Sequence, residues 1–263
     1  MGQGQFSADI SPAGHCHAVM VRSPYPHAKI RAIDISQAMA LPGVIAVLTG
    51  ADAAVDGLGP IPHNPDWVGP PDATLRLPPD FDVYVTENTA LPLDTVRYVG
   101  EAVAMVVAET VAAANDAAEL VDVDYDVLPA VVHARAAMAP GAPLVWPACS
   151  ENLALTCDVG DEEATERAFA NAAHIVKFDG WIHRVTGSPM EPRAVVGEYD
   201  PTDGRYTLRT GSGAGVVRSR ERLAVTLGVP MENCRAVFGD MGGNFGTRNA
   251  FFPEYALMPW AAK

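Results

Sequence analysis

The hydrophobic pattern of this chain predicts strands and helices in mixed order. Apolar and polar residues alternate strictly over 29–34 and 121–127, as in strands with one buried face and one wet face. Between them, Thr110 precedes an alanine-rich run at 111–120, which predicts a helix capped by the threonine hydroxyl. Because that helix leads directly into the strand at 121–127, this part of the chain predicts an α/β unit.

The second half of the chain shows the same mixture of patterns. Acidic residues open a predicted helix at 162–172, as the helix dipole favours, and a long strand is predicted at 174–184. Turn and cap residues further along delimit a hairpin across 200–204, a helix at 216–227, a strand at 234–238 and a helix from Pro253. Both halves therefore predict mixed α and β structure.

Two breaks in the pattern organise the chain. Residues 56–94 are rich in proline, which blocks both helices and strand ladders, so we predict a long insertion loop with Trp67 as its candidate anchor. Residues 134–147 are rich in alanine and proline and show no clear period. We therefore place a domain boundary there and predict two domains, at 1–135 and 136–263.

The acidic composition narrows the classes of partner. A net charge of −14 makes nucleic acids and anionic membranes unfavourable partners. The four cysteines are scattered without a CxxC pair, which supports neither a zinc site nor a disulfide framework. Because no apolar run is long enough to span a membrane and no signal peptide opens the chain, we expect a cytoplasmic protein.

A glycine-dense loop follows the strand predicted at 234–238. Four glycines fall within the eight positions 239–246, a density that predicts a sharp turn or close approach of the backbone to another group. Bare N–H groups in such a loop can hold an oxo group or a phosphate, and an inert tight turn is the alternative. A second loop, at 211–215, lacks both the G-x-G-x-x-G spacing and a P-loop lysine, so a nucleotide site is not indicated. Both loops follow a predicted strand, and they can converge on one ligand.

Short motifs follow one another along almost the whole chain. The first part carries the segments Gly2-x-Gly4-x-Phe6, Val21-Arg22-Ser23-Pro24, Leu41-Pro42-Gly43-Val44 and Tyr98-Val99-Gly100-Glu101-Ala102. The second part carries Met190-Glu191-Pro192-Arg193 and the glycine-dense loop. In this order the motifs resemble the molybdenum-binding subunit of the xanthine dehydrogenase, aldehyde oxidase and carbon monoxide dehydrogenase family. The resemblance implies an α+β chain, with an α/β hammerhead domain at 1–135. The first part of a mixed α/β molybdopterin-binding domain, truncated relative to the family, is implied at 136–263.

Subunits of this family hydroxylate aldehydes, purines or other N-heterocycles with oxygen taken from water. Their cofactor is a molybdenum–molybdopterin, of which the cytosine dinucleotide is one form, and electrons leave through iron–sulfur clusters and FAD on partner subunits. The resemblance therefore implies a portion of an oxidoreductase heteromer that acts on a small-molecule substrate. This chain would join the remaining molybdenum-subunit polypeptide, an iron–sulfur subunit and an FAD subunit. A non-catalytic remnant or assembly module that docks an iron–sulfur subunit is the alternative.

The resemblance also implies which residues face the cofactor. The implied cofactor-binding residues are Gly213, Gly242, Gly243, Asn244, Phe245, Gly246 and Arg248. The backbone N–H of Phe245 is implied to lie at the metal centre, beside an oxo ligand of molybdenum, in agreement with a loop that holds an oxygen anion. Many relatives place a glutamine that donates to an oxo group where Gly213 or Ala214 stands here. For Arg248, an exposed arginine that ends the loop is the alternative.

Two residues are candidates for contact with the substrate. Asn249 stands where purine-oxidising relatives carry a substrate-binding glutamate, which argues against a purine substrate. Glu191 is the other candidate, and a structural role, tied to Arg193 or to a backbone N–H, is its alternative. Glu101 is a candidate for the substrate funnel, with pairing to Arg97 as the alternative. The general-base glutamate of the family matches no residue here, so no catalytic residue is predicted and the chain alone is expected to be inactive.

Overall fold

The computed structural model describes residues 2–63 and 76–263. Within them the chain divides into two compact units. Unit 1 consists of the described parts of Met1–Pro62, Glu87–Val132 and Gly187–Lys263, and unit 2 of the described parts of His63–Thr86 and His133–Thr186. Trp67, the predicted anchor of the proline-rich loop, lies outside the described residues. The sequence boundary between 135 and 136 stays a prediction.

Unit 1 begins with two sheets, each of three antiparallel strands, in the orders β1-β5-β3 and β4-β2-β6. The strands are β1 (His17–Arg22), β2 (Ala28–Asp34), β3 (Val44–Thr49), β4 (Thr95–Val96), β5 (Ala102–Ala108) and β6 (Asp122–Val127). The helices among them are α1 (Ser36–Met39), α2 (Gly50–Val55) and α3 (Val111–Glu119). The predicted cap of α3 is confirmed, because the Thr110 hydroxyl accepts a hydrogen bond from the Ala113 N–H at 3.1 Å.

Strand β5 is the centre of its sheet because its sequence is a continuous apolar run. All of its side chains except Val107 are buried. Val106 lies in register with Val19 of β1 on one side and with Val47 of β3 on the other. Strand β6, in contrast, exposes its three aspartates and half-buries the residues between them, as its alternation predicts.

Unit 2 contains short helices and, among its described residues, no strand beyond an isolated bridge between Arg76 and Asp158. The helices are α4 (Ala134–Ala137) and α5 (Glu162–Ala170). The strand predicted at 174–184 is wrong, because residues 174–186 form neither strand, helix nor turn. The physical reason is that a strand is stable only within a ladder, and no strand of the described structure lies in a ladder with residues 174–184.

The third sheet belongs to the C-terminal part of unit 1. Its strands are β7 (Val195–Asp200), β8 (Arg205–Thr210) and β9 (Cys234–Val237), and its helices are α6 (Val216–Leu227) and α7 (Pro253–Ala261). Strands β7 and β8 form the predicted hairpin, and β9 runs parallel to β8, so α6 is the crossover between them. A buried cluster that includes Leu208, Leu223, Leu257 and Met105 joins this sheet and its helices to β5. The third sheet and the β5 sheet therefore share an apolar core.

The proline-rich stretch at 56–94 was predicted to be a loop. Between α2 and β4, the described residues form no helix and no strand beyond the isolated bridge at Arg76, which confirms the predicted loop for that part of 56–94.

None of the helices in the described parts of the chain is both long and apolar enough to cross a membrane.

The contact between β7 and α7 depends on Gly197. A Cβ atom at this position would lie less than 3.0 Å from the backbone of Met258 and Pro259 in α7. We therefore expect Gly197→Ala to lower the free energy of unfolding by about 1–3 kcal/mol, because a contact between backbone atoms cannot relax as a side chain does. Urea unfolding followed by circular dichroism measures this change.

Gly59→Ala is the matched control for this substitution. The nearest atom to a Cβ at Gly59 is the Val225 carbonyl oxygen at 3.4 Å, which is an ordinary contact. Equal stability of the two variants would show that the close approach of α7 to β7 does not exist in solution.

Candidate functional site

The glycine-dense loop lies between β9 and α7 in unit 1 and has an unusual backbone. Gly243 has φ +115°, Phe245 φ +49° and Gly246 φ +81°. A positive φ is uncommon for a residue with a side chain. Holding one costs on the order of 1–3 kcal/mol, so it persists only where the surrounding contacts enforce it. The structure must therefore contain contacts that fix this loop.

The strongest such contact is a buried ion pair between Glu191 and Arg248. The Arg248 side chain is 2% exposed and the Glu191 side chain 12% exposed. Glu191 Oε2 accepts hydrogen bonds from Arg248 Nη1 at 2.5 Å and from the Gly242 N–H at 2.7 Å. Arg248 Nη2 also donates to the backbone carbonyl of Glu191. One carboxylate oxygen therefore holds both ends of the loop.

The structural role that the sequence offered for Glu191 is observed in part, and contact of Glu191 with the substrate stays a prediction. The carboxylate is tied to a backbone N–H, as the structural alternative proposed, but that N–H belongs to Gly242. Arg193 is not its partner, because the Arg193 guanidinium stacks over the Phe252 ring, 3.7 Å from the ring centre. Arg248 is buried and not exposed. Its contact with the cofactor stays a prediction.

Asn244 closes the loop on itself. Its Oδ1 accepts from the Arg248 N–H at 2.9 Å, and its Nδ2 donates to Asn249 Oδ1 at 2.8 Å. The Thr247 N–H and hydroxyl both donate to the Asn244 carbonyl, at 3.0 and 2.9 Å. Side-chain and backbone bonds therefore fix the turn that contains Phe245.

The loop at 211–215 packs directly against this turn, and convergence of the two glycine loops on one ligand stays a prediction. The Arg248 carbonyl accepts from the Gly213 N–H at 2.9 Å and from the buried Ser212 hydroxyl at 3.0 Å. A Cβ at Gly213 would lie less than 3.0 Å from the side chains of Asn244 and Asn249. A side chain at position 213 would therefore require the side chains of Asn244 and Asn249 to move. Sequence reasoning missed Ser212, which carries no motif of its own.

Four consecutive backbone N–H groups of the loop remain available as donors. Those of Gly243, Asn244, Phe245 and Gly246 donate to no acceptor within 2–63 or 76–263. The Phe245 side chain is 75% exposed, so this part of the loop faces solvent. Successive N–H groups around left-handed residues form a concave donor set that suits an oxygen anion. The donor set therefore fits an oxo-bearing group, as the resemblance implies.

Glu101 lies immediately before β5 and pairs with Arg97 through the backbone. The Arg97 N–H donates to Glu101 Oε2 at 2.5 Å. Burial raises the pKa of Glu101, and this effect is larger than the lowering by the Arg97 N–H and guanidinium. The pairing alternative is thus observed in a modified form, and a funnel role for Glu101 stays a prediction.

Two known domain families match the chain. The aldehyde oxidase and xanthine dehydrogenase a/b hammerhead domain matches residues 1–68 and 79–129. The molybdopterin cofactor-binding domain matches residues 145–263, which contain both glycine loops. The chain belongs to the xanthine dehydrogenase and aldehyde oxidase family. The fold class predicted from the sequence, a hammerhead domain followed by part of a molybdopterin-binding domain, is confirmed.

Individual members of the family are similar over nearly the whole chain. The 6-hydroxypseudooxynicotine dehydrogenase complex subunit gamma of Paenarthrobacter nicotinovorans is 32% identical over 100% of this chain and 31% of its own length. The carbon monoxide dehydrogenase large chain of Afipia carboxidovorans is 32% identical over 97% of this chain and 30% of its own length. The crystal structure of quinoline 2-oxidoreductase from Pseudomonas putida 86 has a TM-score of 0.80 at 31% identity, over 99% of this chain and 31% of that one. The chain therefore spans about a third of the length of these relatives.

The Glu191–Arg248 pair should contribute strongly to stability. We expect Glu191→Gln to lower the free energy of unfolding by about 3 kcal/mol, because it leaves the buried Arg248 cation without its counter-charge. Urea unfolding measures the loss. Glu163→Gln is the control, since Glu163 and Arg167 form an exposed pair with side chains 88% and 65% exposed. If both variants unfold at the same urea concentration, the buried pair does not hold the loop.

Glu101 should make stability depend on pH. The folded chain binds the Glu101 proton more tightly than the unfolded chain does, because burial raises the pKa above the ordinary value of 4.5. This contribution to stability is complete below pH 4.5 and is lost as the pH rises through the raised pKa. The difference in unfolding free energy between the parent and Glu101→Gln should therefore change between pH 4.5 and the raised pKa of Glu101. Parallel curves of stability against pH would contradict the burial of this carboxyl group.

Proposed function

We propose that this chain forms one wall of a molybdenum–molybdopterin centre in an enzyme that hydroxylates aldehydes or N-heterocycles. The observation that carries the proposal is the row of unpaired N–H groups at 243–246, held in place by the buried Glu191–Arg248 pair. The match to the molybdopterin cofactor-binding domain supports the identity of the ligand. Relatives named for carbon monoxide, nicotine and quinoline chemistry support the reaction class.

The residues of this chain would bind and orient an oxygen ligand of the metal. The bound group supplies the two-electron oxidation of a carbon–hydrogen bond and the binding of the oxygen that comes from water. The Phe245 N–H would donate to an oxo ligand, and Gly242, Gly243 and Gly246 would let the backbone approach it. Neither Gly213 nor Ala214 has a side chain that can donate a hydrogen bond. The hydrogen bonds to the oxygen ligand would therefore come from backbone N–H groups.

Asn249 bears on the kind of substrate. Its Oδ1 accepts from Asn244, and its exposed amide Nδ2 donates to no acceptor among the described residues. A neutral donor suits the ring nitrogen of an N-heterocycle or the carbonyl oxygen of an aldehyde, whereas a carboxylate suits the N–H groups of a purine. We therefore propose substrates that accept a hydrogen bond.

The remaining parts of the catalytic site would come from elsewhere. The chain spans about a third of its relatives, and no residue of it matches the general base of the family. We propose that the polypeptide corresponding to the other two thirds supplies the base and most contacts to the pterin. Iron–sulfur and FAD subunits would then remove the electrons.

Co-expression tests this function. The chain is produced with the polypeptide that carries the other two thirds of the large subunit, in a host that makes the molybdenum cofactor. We expect a complex with stoichiometric molybdenum and pterin, and dye-linked oxidation of an aldehyde or N-heterocycle. A complex without molybdenum that still binds an iron–sulfur subunit would instead identify an assembly module.

Replacement of one backbone atom tests the role of Phe245 within that complex. An amide-to-ester change at Phe245, introduced with the matching hydroxy acid, removes the N–H and retains the side chain. We expect dye-linked activity to fall about 100-fold with molybdenum retained, which is typical for the loss of one oxyanion donor.

Phe245→Gly is the matched control, because it retains the N–H and readily adopts a positive φ. We expect its activity to stay close to that of the parent complex. An ester variant as active as the Phe245→Gly variant would show that the N–H does not contact the reacting group.

A further inference from the structure

Residues 174–185 of unit 2 have the sequence of a strand, and no strand of the described structure pairs with them. The segment begins at His174 and contains valine, isoleucine, phenylalanine and tryptophan, the residues that favour strands. It runs without a turn or bend, so its backbone is extended. This conformation and this composition are those of a strand before it has been paired.

The backbone of this segment is fully available for pairing. Within 2–63 and 76–263, no backbone hydrogen bond reaches any residue of 174–185. Its side-chain contacts are an ion pair of Asp179 with Arg135, in which both side chains are 81% exposed, and a ring contact of Trp181 with His133. Neither contact occupies an N–H or a carbonyl of the segment, so both of its edges can join a ladder.

One face of the segment is also strongly apolar. Val176, Phe178 and Ile182 alternate in phase along the extended backbone and are 91%, 92% and 91% exposed. Single exposed apolar residues are normal, but a row of large ones on one strand marks an interaction surface. Covering the three side chains would contribute several kcal/mol, on the order of 1.5–3 each.

The described rest of unit 2 does not cover this face. Helix α5 precedes the segment and has no buried residue, although its sequence is amphipathic. Cys149 is the one buried hydrophobic residue in the described part of the unit. A helix and a strand with neither a sheet nor a core among the described residues require both from outside them.

We propose that residues 174–185 pair as a β-strand with a strand of the polypeptide that supplies the two thirds of the large subunit not covered by this chain. The relatives of this chain are about three times longer, so they contain enough additional chain for such a sheet. Strand addition satisfies the open backbone edges and buries the row of Val176, Phe178 and Ile182 in one step. The identity of the partner rests on the proposed function, whereas the pairing rests on the segment itself.

Hydrogen–deuterium exchange tests the pairing. The chain is measured alone and after mixing with the purified polypeptide described for the co-expression experiment. We expect the amides of 174–185 to exchange freely in the chain alone and about 100-fold more slowly in the complex. Failure to form a complex, or a complex in which the segment still exchanges freely, would overturn the proposal.

A proline substitution separates pairing from folding of the chain. Phe178→Pro removes an N–H that bonds to none of the described residues, so the circular dichroism spectrum and unfolding of the isolated chain should not change. In the complex the same change removes a ladder bond and an apolar side chain. We expect the Kd for the partner polypeptide to rise at least about 100-fold.

The control is Glu162→Pro, at the first residue of α5, where proline is tolerated and the N–H has no partner in the helix. Equal affinity of the two proline variants would contradict the pairing. Protection of 174–185 in a homodimer of the isolated chain would assign the strand to a second copy and also overturn the proposal. Protection in a complex that lacks molybdenum would support the pairing while removing the proposed function.

Discussion

The geometry of the candidate site depends on the buried pair of Glu191 and Arg248. The pair is almost completely removed from water, and its carboxylate also accepts the Gly242 N–H. It can therefore offset the cost of holding Phe245 at a positive φ, which is on the order of 1–3 kcal/mol. The result is a loop whose donors are already oriented before any ligand arrives, and such preorganisation is what makes backbone donors effective against developing negative charge.

The sequence indicated both glycine loops and placed each after a strand, because glycine density and position after a strand are local signals. It did not predict the pairing of Glu191 with Arg248, since the two residues are 57 positions apart and only the folded chain brings them together. The structure also explains Gly213. Its missing side chain leaves the space that the side chains of Asn244 and Asn249 occupy, so a larger residue there would displace their hydrogen bond.

The same division between local and non-local signals holds for the fold. The alternation of β6, the cap of α3 and the hairpin of β7 and β8 were predicted because each is encoded within a few residues. The segment at 174–185 shows the limit of such reasoning. Its alternation predicts which side chains need burial, but a ladder also requires a second strand, and no described residue supplies one. The hydrophobic pattern of 174–185 therefore indicates a surface that needs a partner, whereas the sequence alone predicted a strand already paired within the chain.

The site and the unpaired segment support one account, in which this chain provides a preformed donor loop and completes its sheet with the rest of the large subunit. The most direct test is a crystal structure of the assembled, cofactor-loaded complex. The account predicts that the Phe245 nitrogen lies about 2.7–3.2 Å from an oxygen ligand of molybdenum, as for a hydrogen bond. A molybdenum centre whose oxygen ligands contact none of the N–H groups of 243–246 would contradict it.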